Sequence, residues 1–320
     1  MLYKTLGKTT MQVSELCLGT MQFGWSVNQK GSFNIISEAI ENGINFIDTA
    51  NIYSQWIENN DSGTSESIIG NWISQTNTPR DQYFIATKVR GQIGQDPNNQ
   101  GLGKHHIMKA VEDSLKRLKI ETIDLYQAHW PDQNTDIEET LTAMDDLIKQ
   151  GKVRYIGCSN YSNNQLIDAL LTSKTNNLAR FQSIQPHYSL INRSEFEKHL
   201  QQTCEQYQLG VTPYSPLGAG FLTGKYHSNK PIPKSVRASK TRKYITKNNL
   251  EIINTLSTIA LDHNKTVSQI ALSWLLSKQL VTSPIIGPRT INQLRDNVGS
   301  IHVKLTSPEI QQIDQVSKNN

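Results

Sequence analysis

Cysteine is scarce in this chain, with three residues among 320. Cys17, Cys158 and Cys204 form an odd and scattered set, which argues against a disulfide framework and against a zinc site. Such a set is typical of a protein that stays in a reducing compartment. We therefore expect three small packed thiols, no bound metal and a cytoplasmic protein.

Long apolar runs are also lacking. No stretch reaches the roughly 18 consecutive apolar residues that suggest a membrane-spanning helix, and the first residues lack the apolar segment of a signal peptide. Apolar residues make up 36% of the chain and charged residues 19%, which is typical of a water-soluble globular protein. We expect no association with a membrane.

Charge of one sign is not in large excess. The chain has 32 Lys and Arg residues against 28 Asp and Glu residues, for a net charge of +4. The densest basic stretch runs from Lys234 to Lys247, and it either faces phosphate groups or is a solvated surface segment. Because aromatic residues do not alternate with these basic residues, we do not expect binding to nucleic acid.

The sequence is rich in one pattern, the alternation of short β-rich runs with amphipathic helical segments. Strands are predicted at 15–18, 44–47, 83–87, 123–127, 153–158, 183–185, 211–214 and 283–286. The first predicted helix is capped by Ser32 and stops at Gly43, and another begins with a cap at Thr135 and runs to Gln150. The other predicted helices lie at 65–73, 104–118, 163–171, 195–207, 248–277 and 291–299.

Eight successive strand–helix units predict a (β/α)8 TIM barrel of the α/β class, with residues 1–320 as a single domain. Residues 1–13, with a turn at Gly7-Lys8, predict an N-terminal β-hairpin that closes the barrel bottom. The alternative fold is an open doubly wound sheet. That fold normally carries a G-x-G-x-x-G turn after its first strand, and residues 18–24 lack this spacing. A P-loop with its full spacing is also missing.

Four polar residues follow three successive predicted strands. Asp48 and Tyr53 come after the strand at 44–47, Lys88 after 83–87, and His129 after 123–127. Because the carboxyl ends of barrel strands meet at one mouth, we expect these side chains to converge there. Each residue alone also fits a structural role, such as a loop cap or a packed aromatic. The combination on adjacent strand ends favours chemistry.

This set suits the reduction of a carbonyl group by hydride, which requires a proton donor at the developing alkoxide. Free tyrosine, with a pKa of about 10, is a poor acid at neutral pH. A neighbouring ammonium group lowers that pKa. We therefore predict Tyr53 as general acid, Lys88 as the group that lowers its pKa, Asp48 as the group that orients Lys88, and His129 as a donor that positions the carbonyl.

Several stretches resemble the aldo-keto reductase family, and they follow the family's order along nearly the whole chain. They are GINFIDTA at 43–50 with Tyr53, 87–88, DLYQAHW at 124–130, VRYIGCSN at 153–160, Gln185, 214–218, 223–226, and 287–290 with Gln293 and Asn297. The branch resembled is the bacterial one, which is also similar to potassium-channel β-subunits and Tas-type reductases. The resemblance implies NADPH-dependent reduction of an aldehyde or ketone to an alcohol.

The resemblance also implies how NADPH binds without a Gly-rich turn. The nicotinamide carboxamide would contact Ser159, Asn160 and Gln185, and the ring would stack on Tyr214. The pyrophosphate would meet Ser215, Leu217, Lys225 and Arg237, the 2′-phosphate Arg289, and the adenine Gln293 and Asn297. The remaining predicted cofactor positions are Gly19, Thr20, Met21, Asp48, Pro216, Gly218 and Gly287.

Some of these positions have an alternative structural role. Ser159 and Asn160 also suit a turn or a helix cap, and Gln293 forms a possible capping box with Thr290. The predicted substrate pocket is lined by loops after the strands. Its candidate residues are Trp25, Tyr53, Trp56, His129 and Trp130. They suit an aryl, alkyl or sugar-like carbonyl compound. The loop at 56–64 either shapes this pocket or is a surface insertion.

Two other functions stay open. One is an NADP(H)-binding regulatory or interaction protein that resembles a channel β-subunit. The complete polar set favours catalysis over this alternative, and His129 stands where channel β-subunits carry Asn. The other is an NAD-dependent dehydrogenase that works in the oxidative direction. Arg289 favours NADPH, because the 2′-phosphate would give it a partner. The oligomeric state is not predicted.

Overall fold

The computed structural model describes residues 1–94, 96, 98–226 and 241–320. Its main feature is an eight-stranded parallel sheet in the order β10-β3-β4-β5-β6-β7-β8-β9. Each of these strands from β3 to β8 pairs with the next strand along the chain, as the predicted alternation requires. The strands are β3 Cys17–Gly19, β4 Phe46–Asp48, β5 Phe84–Val89, β6 Ile123–Ala128, β7 Val153–Ser159, β8 Ser183–Gln185, β9 Gly210–Val211 and β10 Ile285–Ile286.

The two ends of this sheet, β9 and the segment leading into β10, also meet. Val211 forms a parallel bridge with Val281, and the Thr282 N–H donates to the Val211 carbonyl at 2.8 Å. The Ile285 N–H donates to the Pro213 carbonyl at 2.8 Å. These bonds close the sheet on itself, so the predicted (β/α)8 TIM barrel is confirmed and the open doubly wound sheet is wrong.

An antiparallel hairpin, β1 Tyr3–Thr5 and β2 Gln12–Ser14, precedes the barrel as predicted. Its buried side chains Leu6, Met11 and Val13 belong to a cluster with residues of the barrel interior. The turn comes close to the barrel: a Cβ at Gly7, where φ is +58°, would lie 2.1 Å from the Gln182 carbonyl oxygen. The hairpin therefore fills the end of the barrel at which the strands begin.

Helices surround the barrel and bury their apolar faces in a continuous outer core. They are Gln29–Glu41, Thr64–Ile73, Lys104–Leu118, Ile137–Lys149, Asn163–Thr175, Gln201–Tyr207, Lys247–Asp262, Val267–Leu276, Ile291–Val298 and Ser307–Ser317. Within the described ranges, no helix is long and apolar enough to span a bilayer.

Three details of the predicted helices are wrong. The first helix begins at a cap formed by Asn28, because the side chain of Ser32 donates to the Asn28 carbonyl within the first turn. Asp136 caps the helix that Thr135 was expected to cap, since Thr135 instead donates to Asp132. The helix expected at 248–277 is two helices, because Thr266 forms a capping box that starts a new one.

Successive side chains of β5 lie alternately in two apolar clusters, one inside the barrel and one between the barrel and the helices. Ala86 packs in the inner cluster with Leu125, whereas Val89 packs in the outer cluster beneath the helices. Thr87 and Lys88 follow the same alternation, so Thr87 lies on the outer side and Lys88 on the inner side. Each strand thus places every second side chain inside the barrel, and the last inward side chains lie at its mouth.

Candidate active site

The four predicted catalytic side chains come together at the carboxyl ends of β4, β5 and β6. Lys88 is fully buried, and its Nζ donates to Asp48 Oδ2 at 2.6 Å and to the Thr49 carbonyl at 2.7 Å. The third donor direction of Nζ is used by Tyr53 Oη at 3.1 Å. The ammonium group is therefore held by three oxygens, one of which belongs to a phenol that can ionise.

Two amide side chains hold the other oxygen of Asp48. Gln185 donates to Asp48 Oδ1 at 2.9 Å and Gln127 donates to it at 3.2 Å. Gln185 comes from the end of β8 and Gln127 from β6, and neither strand is adjacent to β4, which carries Asp48. The carboxylate is thus fixed from two sides, which in turn fixes Lys88. Gln127 was not among the predicted site residues, although it lies two residues before His129 and pairs with Lys88 across the sheet.

The pKa of Tyr53 differs from the expectation in its net direction. Burial of the hydroxyl raises this pKa and the Asp48 carboxylate adds to the rise, whereas Lys88 lowers it. Lys88 therefore acts in the predicted sense, but burial outweighs it and Tyr53 stays protonated at neutral pH. Burial also lowers the pKa of Lys88, yet Asp48 and Tyr53 raise it by more, so the amine stays charged.

His129 lies next to this pair, with its ring centroid 5.8 Å from that of Tyr53 in an edge-on arrangement. Burial and the nearby cations Lys88 and Arg90 hold the pKa of His129 well below its usual value. The imidazole is therefore neutral at neutral pH, and one of its ring nitrogens carries a proton. Its Nδ1 is buried and has no hydrogen-bond partner in the described part of the chain.

The residues predicted for the nicotinamide carboxamide lie side by side. Ser159 Oγ donates to the Gln185 carbonyl at 2.8 Å, and Asn160 Nδ2 donates to Ser159 Oγ at 3.0 Å. Tyr214 Oη donates to Asn160 Oδ1 at 2.8 Å, and the Tyr214 ring stacks on His187. Through Gln185 this group is continuous with Asp48. Amide and hydroxyl groups of this kind match the donors and acceptors of a carboxamide.

The segment after Tyr214 has an unusual backbone. φ is positive at Ser215, Gly218, Ala219 and Gly220, and the side chain of Lys225 reaches back towards Gly220. A right-handed residue followed by a left-handed one, as at Leu217 and Gly218, makes a concave backbone surface that suits an anion. The Gly218 and Gly220 N–H groups themselves donate to the Ser215 and Leu217 carbonyls. Pro216 is buried and Leu217 packs against the outer core, which holds the segment in place. Arg237, the other predicted pyrophosphate contact, lies outside the described residues.

The last predicted cofactor segment follows β10. Arg289 is partly exposed, and Gly287 and Gln293 are exposed. The Gln293 side chain accepts from the Arg289 N–H at 2.8 Å while Thr290 caps the helix, so Gln293 serves the helix start without the predicted capping box. Asn297 is buried one turn further on. The chemistry of these residues suits a phosphate beside a purine.

The segment 19–21 borders the catalytic residues directly. Gly19 pairs with Asp48 across the sheet, and Thr20 Oγ1 donates to the Asp48 carbonyl at 3.0 Å. The Met21 carbonyl accepts from Ser54, the residue after Tyr53. All three predicted residues therefore contact the loop that carries the general acid candidate.

The predicted substrate aromatics form two groups. His129 and Trp130 lie with ring centroids 4.5 Å apart, and Trp25 and Trp56 meet edge to face at 5.7 Å. Asn60, in the loop at 56–64, donates to the carbonyl of Gly24 at 2.8 Å. The loop is therefore folded against the segment that carries Trp25.

Sequence reasoning missed Arg90, which lies over the ring of Trp130 with Cζ 5.0 Å from the ring centroid. The available signal was its position two residues after Lys88 at the end of a predicted strand. Its backbone φ of +132° carries no signature in the sequence, because that region favours glycine and the residue is an arginine.

Comparison with known proteins agrees with this geometry. The model of the Aldo/keto reductase family matches residues 15–318. "Uncharacterized oxidoreductase YrpG" of Bacillus subtilis is 36% identical over 319 residues, which cover 98% of this chain and 95% of that protein. A "Putative voltage-gated potassium channel subunit beta" of Schizosaccharomyces pombe is 33% identical over 331 aligned positions, with 98% and 92% coverage. "Protein tas" of Escherichia coli is 31% identical over 339 aligned positions, with 99% and 97% coverage. The chain therefore belongs to the aldo/keto reductase family.

Proposed function

We propose that this protein is an oxidoreductase that uses NADPH to reduce an aldehyde or a ketone to an alcohol, with Tyr53 as general acid. The observation that carries the proposal is the 3.1 Å contact between Tyr53 Oη and the buried Nζ of Lys88, which is itself paired with Asp48. This arrangement holds a protonated phenol against a permanent positive charge at the mouth of the barrel. The relative named an oxidoreductase supports the same reading.

In this proposal Tyr53 transfers its proton to the carbonyl oxygen as negative charge develops there. The O–H bond of Tyr53 breaks, a new O–H bond forms on the product, and the phenolate is left facing Lys88. Lys88 stabilises that phenolate without giving up its own proton, and Asp48 keeps Lys88 charged and in place. The raised pKa of Tyr53 suits this role, since the donor must still carry its proton when the substrate arrives.

His129 is assigned the orientation of the carbonyl. As a neutral imidazole it donates one hydrogen bond and carries no charge that would compete with Lys88. Its edge-on contact with Tyr53, with ring centroids 5.8 Å apart, supports this assignment, because the substrate oxygen would accept from both side chains.

The residues that would hold NADPH are those that the family resemblance implies. Ser159, Asn160 and Gln185 would bind the carboxamide and Tyr214 would cover the ring. The left-handed backbone after Tyr214 and Lys225 would hold the pyrophosphate, and Arg289 the 2′-phosphate. The bound nicotinamide supplies the hydride that reaches the carbonyl carbon.

The test is oxidation of NADPH by purified protein, followed at the nicotinamide absorbance against a panel of aldehydes, ketones and sugars. We expect oxidation that depends on a carbonyl compound and falls by about 10²–10⁴-fold in Tyr53→Phe, the range for loss of a general acid. NADPH affinity should be retained in that variant. A Tyr155→Phe variant, at the other end of the barrel, is the matched control.

Binding measurements separate this proposal from its alternatives. Dissociation constants for NADPH and NADH on the same protein should favour NADPH, and equal values would remove the argument from Arg289. Tight NADPH binding without turnover of any carbonyl compound would instead favour the regulatory alternative. That alternative has its own support in the similarity to a relative named a potassium channel subunit.

A further inference from the structure

Arg90 lies at the mouth of the barrel, beside the residues that would handle the carbonyl group. It directly follows β5, and the pairing of Val89 with Ala128 places it at the level of His129. Its guanidinium carbon lies 5.0 Å from the centroid of the Trp130 ring, and that ring lies 4.5 Å from the His129 ring. The Trp130 ring therefore contacts both the guanidinium group and the His129 ring.

The charge of Arg90 is not balanced by a carboxylate. Among the described residues no acidic side chain pairs with it, and its buried Nε has no hydrogen-bond partner. Arg80 and Arg193 also lie over aromatic rings, but Arg80 pairs with Asp124 at 2.5 Å. Arg193 likewise has an ion pair with a neighbouring glutamate. Stacking alone therefore does not account for an unpaired arginine at this place.

The acidic group that interacts electrostatically with Arg90 is Asp132, and its oxygens are engaged elsewhere. Its Oδ2 accepts from the Leu102 N–H at 2.8 Å and from Thr135 at 3.0 Å. Its Oδ1 accepts from the Asn134 N–H at 3.1 Å. These bonds hold the turn that follows β6, so the guanidinium group keeps its hydrogen-bond donors for another partner.

The backbone holds Arg90 in an uncommon conformation. Its φ is +132°, a region that costs free energy for any residue with a side chain, and its carbonyl accepts from the Gly101 N–H at 2.8 Å. Strained residues persist when the surrounding structure holds them, and they cluster at ligand-binding sites. The conformation keeps the side chain of Arg90 on Trp130 at the edge of the mouth.

We propose that Arg90 binds an anionic group of the substrate, so that the preferred substrates are carbonyl compounds that also carry a carboxylate or a phosphate. This inference rests on the proposed reductase function. Among the described residues at the mouth, Lys88 is paired with Asp48 and His129 is neutral, whereas Arg90 carries a positive charge with no carboxylate paired to it. A planar guanidinium group matches the two oxygens of a carboxylate or phosphate. Because the guanidinium group lies over Trp130, beside His129, the anion and the carbonyl would be separate groups of one substrate.

The test compares 4-carboxybenzaldehyde with its methyl ester, two substrates that share the ring and the aldehyde but differ in charge. The measured quantity is the ratio of their kcat/KM values. We expect the native protein to favour the acid, mainly through KM, and Arg90→Gln to lower the ratio by roughly 10- to 100-fold, the effect of losing a hydrogen bond to a charged group. Arg90→Lys, which keeps the charge without the fork, should give an intermediate ratio.

The matched control is Arg154→Gln, because Arg154 is an exposed arginine at the opposite end of the barrel and pairs with Asp124. Its ratio should equal that of the native protein. Glyceraldehyde 3-phosphate against glyceraldehyde repeats the comparison with a phosphate, and the larger ratio identifies the anion that the site prefers. Calorimetric binding of 4-(hydroxymethyl)benzoate to native and Arg90→Gln protein provides a measurement that does not depend on turnover.

An equal fall for acid and ester in Arg90→Gln would overturn the proposal, because a purely structural role affects both substrates alike. A native ratio near one for both substrate pairs would overturn it as well. If either of these two results is found while the ester is still turned over well, the Arg90 proposal fails but the proposed reductase function does not. Absence of turnover for every carbonyl compound contradicts the proposed function itself, and the calorimetric comparison then decides whether Arg90 binds the anion.

Discussion

Two buried ion pairs lie on opposite faces of β5. They differ in whether a charged group of the pair also contacts a side chain that can react with a substrate. On the inner face Lys88 pairs with Asp48, and on the outer face Glu66 pairs with Arg117 at 2.7 Å. The outer pair is closed, since the second oxygen of Glu66 accepts from Thr87 at 2.5 Å. The inner pair is open, since the ammonium group also contacts a phenol at the barrel mouth. The outer ion pair therefore stabilises the packing of helices on β5, whereas the inner ion pair contacts a side chain that can take part in a reaction.

The difference follows from what surrounds each pair. Helices cover the outer face, so Glu66 must find all its partners there or leave a buried charge unpaired, which is costly. The inner face ends at the mouth, where Tyr53, the third partner of Lys88, is partly exposed. A hydrogen bond from Lys88 can therefore be directed to a group that meets a substrate. Neighbouring residues Thr87 and Lys88 serve the two faces because successive strand side chains alternate.

The largest expected effect comes from breaking the inner pair. Lys88→Met should lower kcat by about 10²–10⁴-fold, since Tyr53 would lose the cation that stabilises its phenolate. It should also lower the free energy of unfolding by about 3–5 kcal/mol, because Asp48 is left as a buried unpaired charge. Steady-state kinetics and urea unfolding measure the two effects.

Asp48→Asn is the companion variant if Lys88→Met does not fold. It keeps the shape of the side chain and its amide neighbours but removes the charge, and a similar fall in kcat is expected. Normal turnover in either variant would contradict the assignment of Lys88 and Asp48 to the reaction.

Breaking the outer pair should affect stability without affecting the reaction. Glu66→Gln should lower the free energy of unfolding by about 1–3 kcal/mol, because Arg117 loses a charged hydrogen-bond partner while Thr87 keeps a neutral one. kcat should stay within about threefold of the native value, since single substitutions away from the chemistry seldom change it. A fall in kcat like that of Lys88→Met would show that the two faces of β5 are coupled.

The smallest expected effect concerns His129, whose pKa is lowered first by burial and then by the neighbouring cations Lys88 and Arg90. Its pKa is held well below the ordinary value of about 6.5, so below that pH the unfolded chain binds a proton that the folded protein does not. Folding is therefore destabilised as pH falls below about 6.5, by at most ~1.4 kcal/mol per pH unit.

The His129→Asn variant should not show this loss of folding stability at acidic pH. Urea midpoints at pH 7.5 and 5.5 measure it, as a smaller acid-induced decrease in the variant than in the native protein. His106 and His187 also have lowered pKa values, but both are present in the two proteins and cancel in the comparison. Equal decreases in the two proteins would show that His129 takes up its proton normally when folded.

Local patterns predicted much of the fold. The helix at Lys104–Leu118 and the strand at Ser183–Gln185 have the bounds that the sequence indicated, because their apolar spacing and flanking residues are local signals. Boundaries were wrong where two capping residues lay close together, as at Ser32 and Asn28, since either side chain suits a cap. The break at Thr266 was missed because helical periodicity continues on both sides of it.

The candidate site was predicted in part for a similar reason. Asp48, Lys88 and His129 could be found because each lies at or just after the end of a predicted strand, and the barrel brings strand ends together. Gln127 and Gln185 hold Asp48 from strands far along the chain, and no local pattern indicates that contact. Arg90 was missed because its importance lies in a missing partner and a backbone angle, both of which are properties of the folded state.

The sequence by itself determined the order of strands and helices, the barrel class and the polar residue types at the strand ends, because alternation and turn residues act over short distances. The tertiary structure decided how those groups act on one another. It set the closure of β9 on β10, the net rise in the pKa of Tyr53 and the unpaired charge of Arg90. Burial and charge pairing depend on distances between segments that are remote in sequence, so only the folded chain determines them.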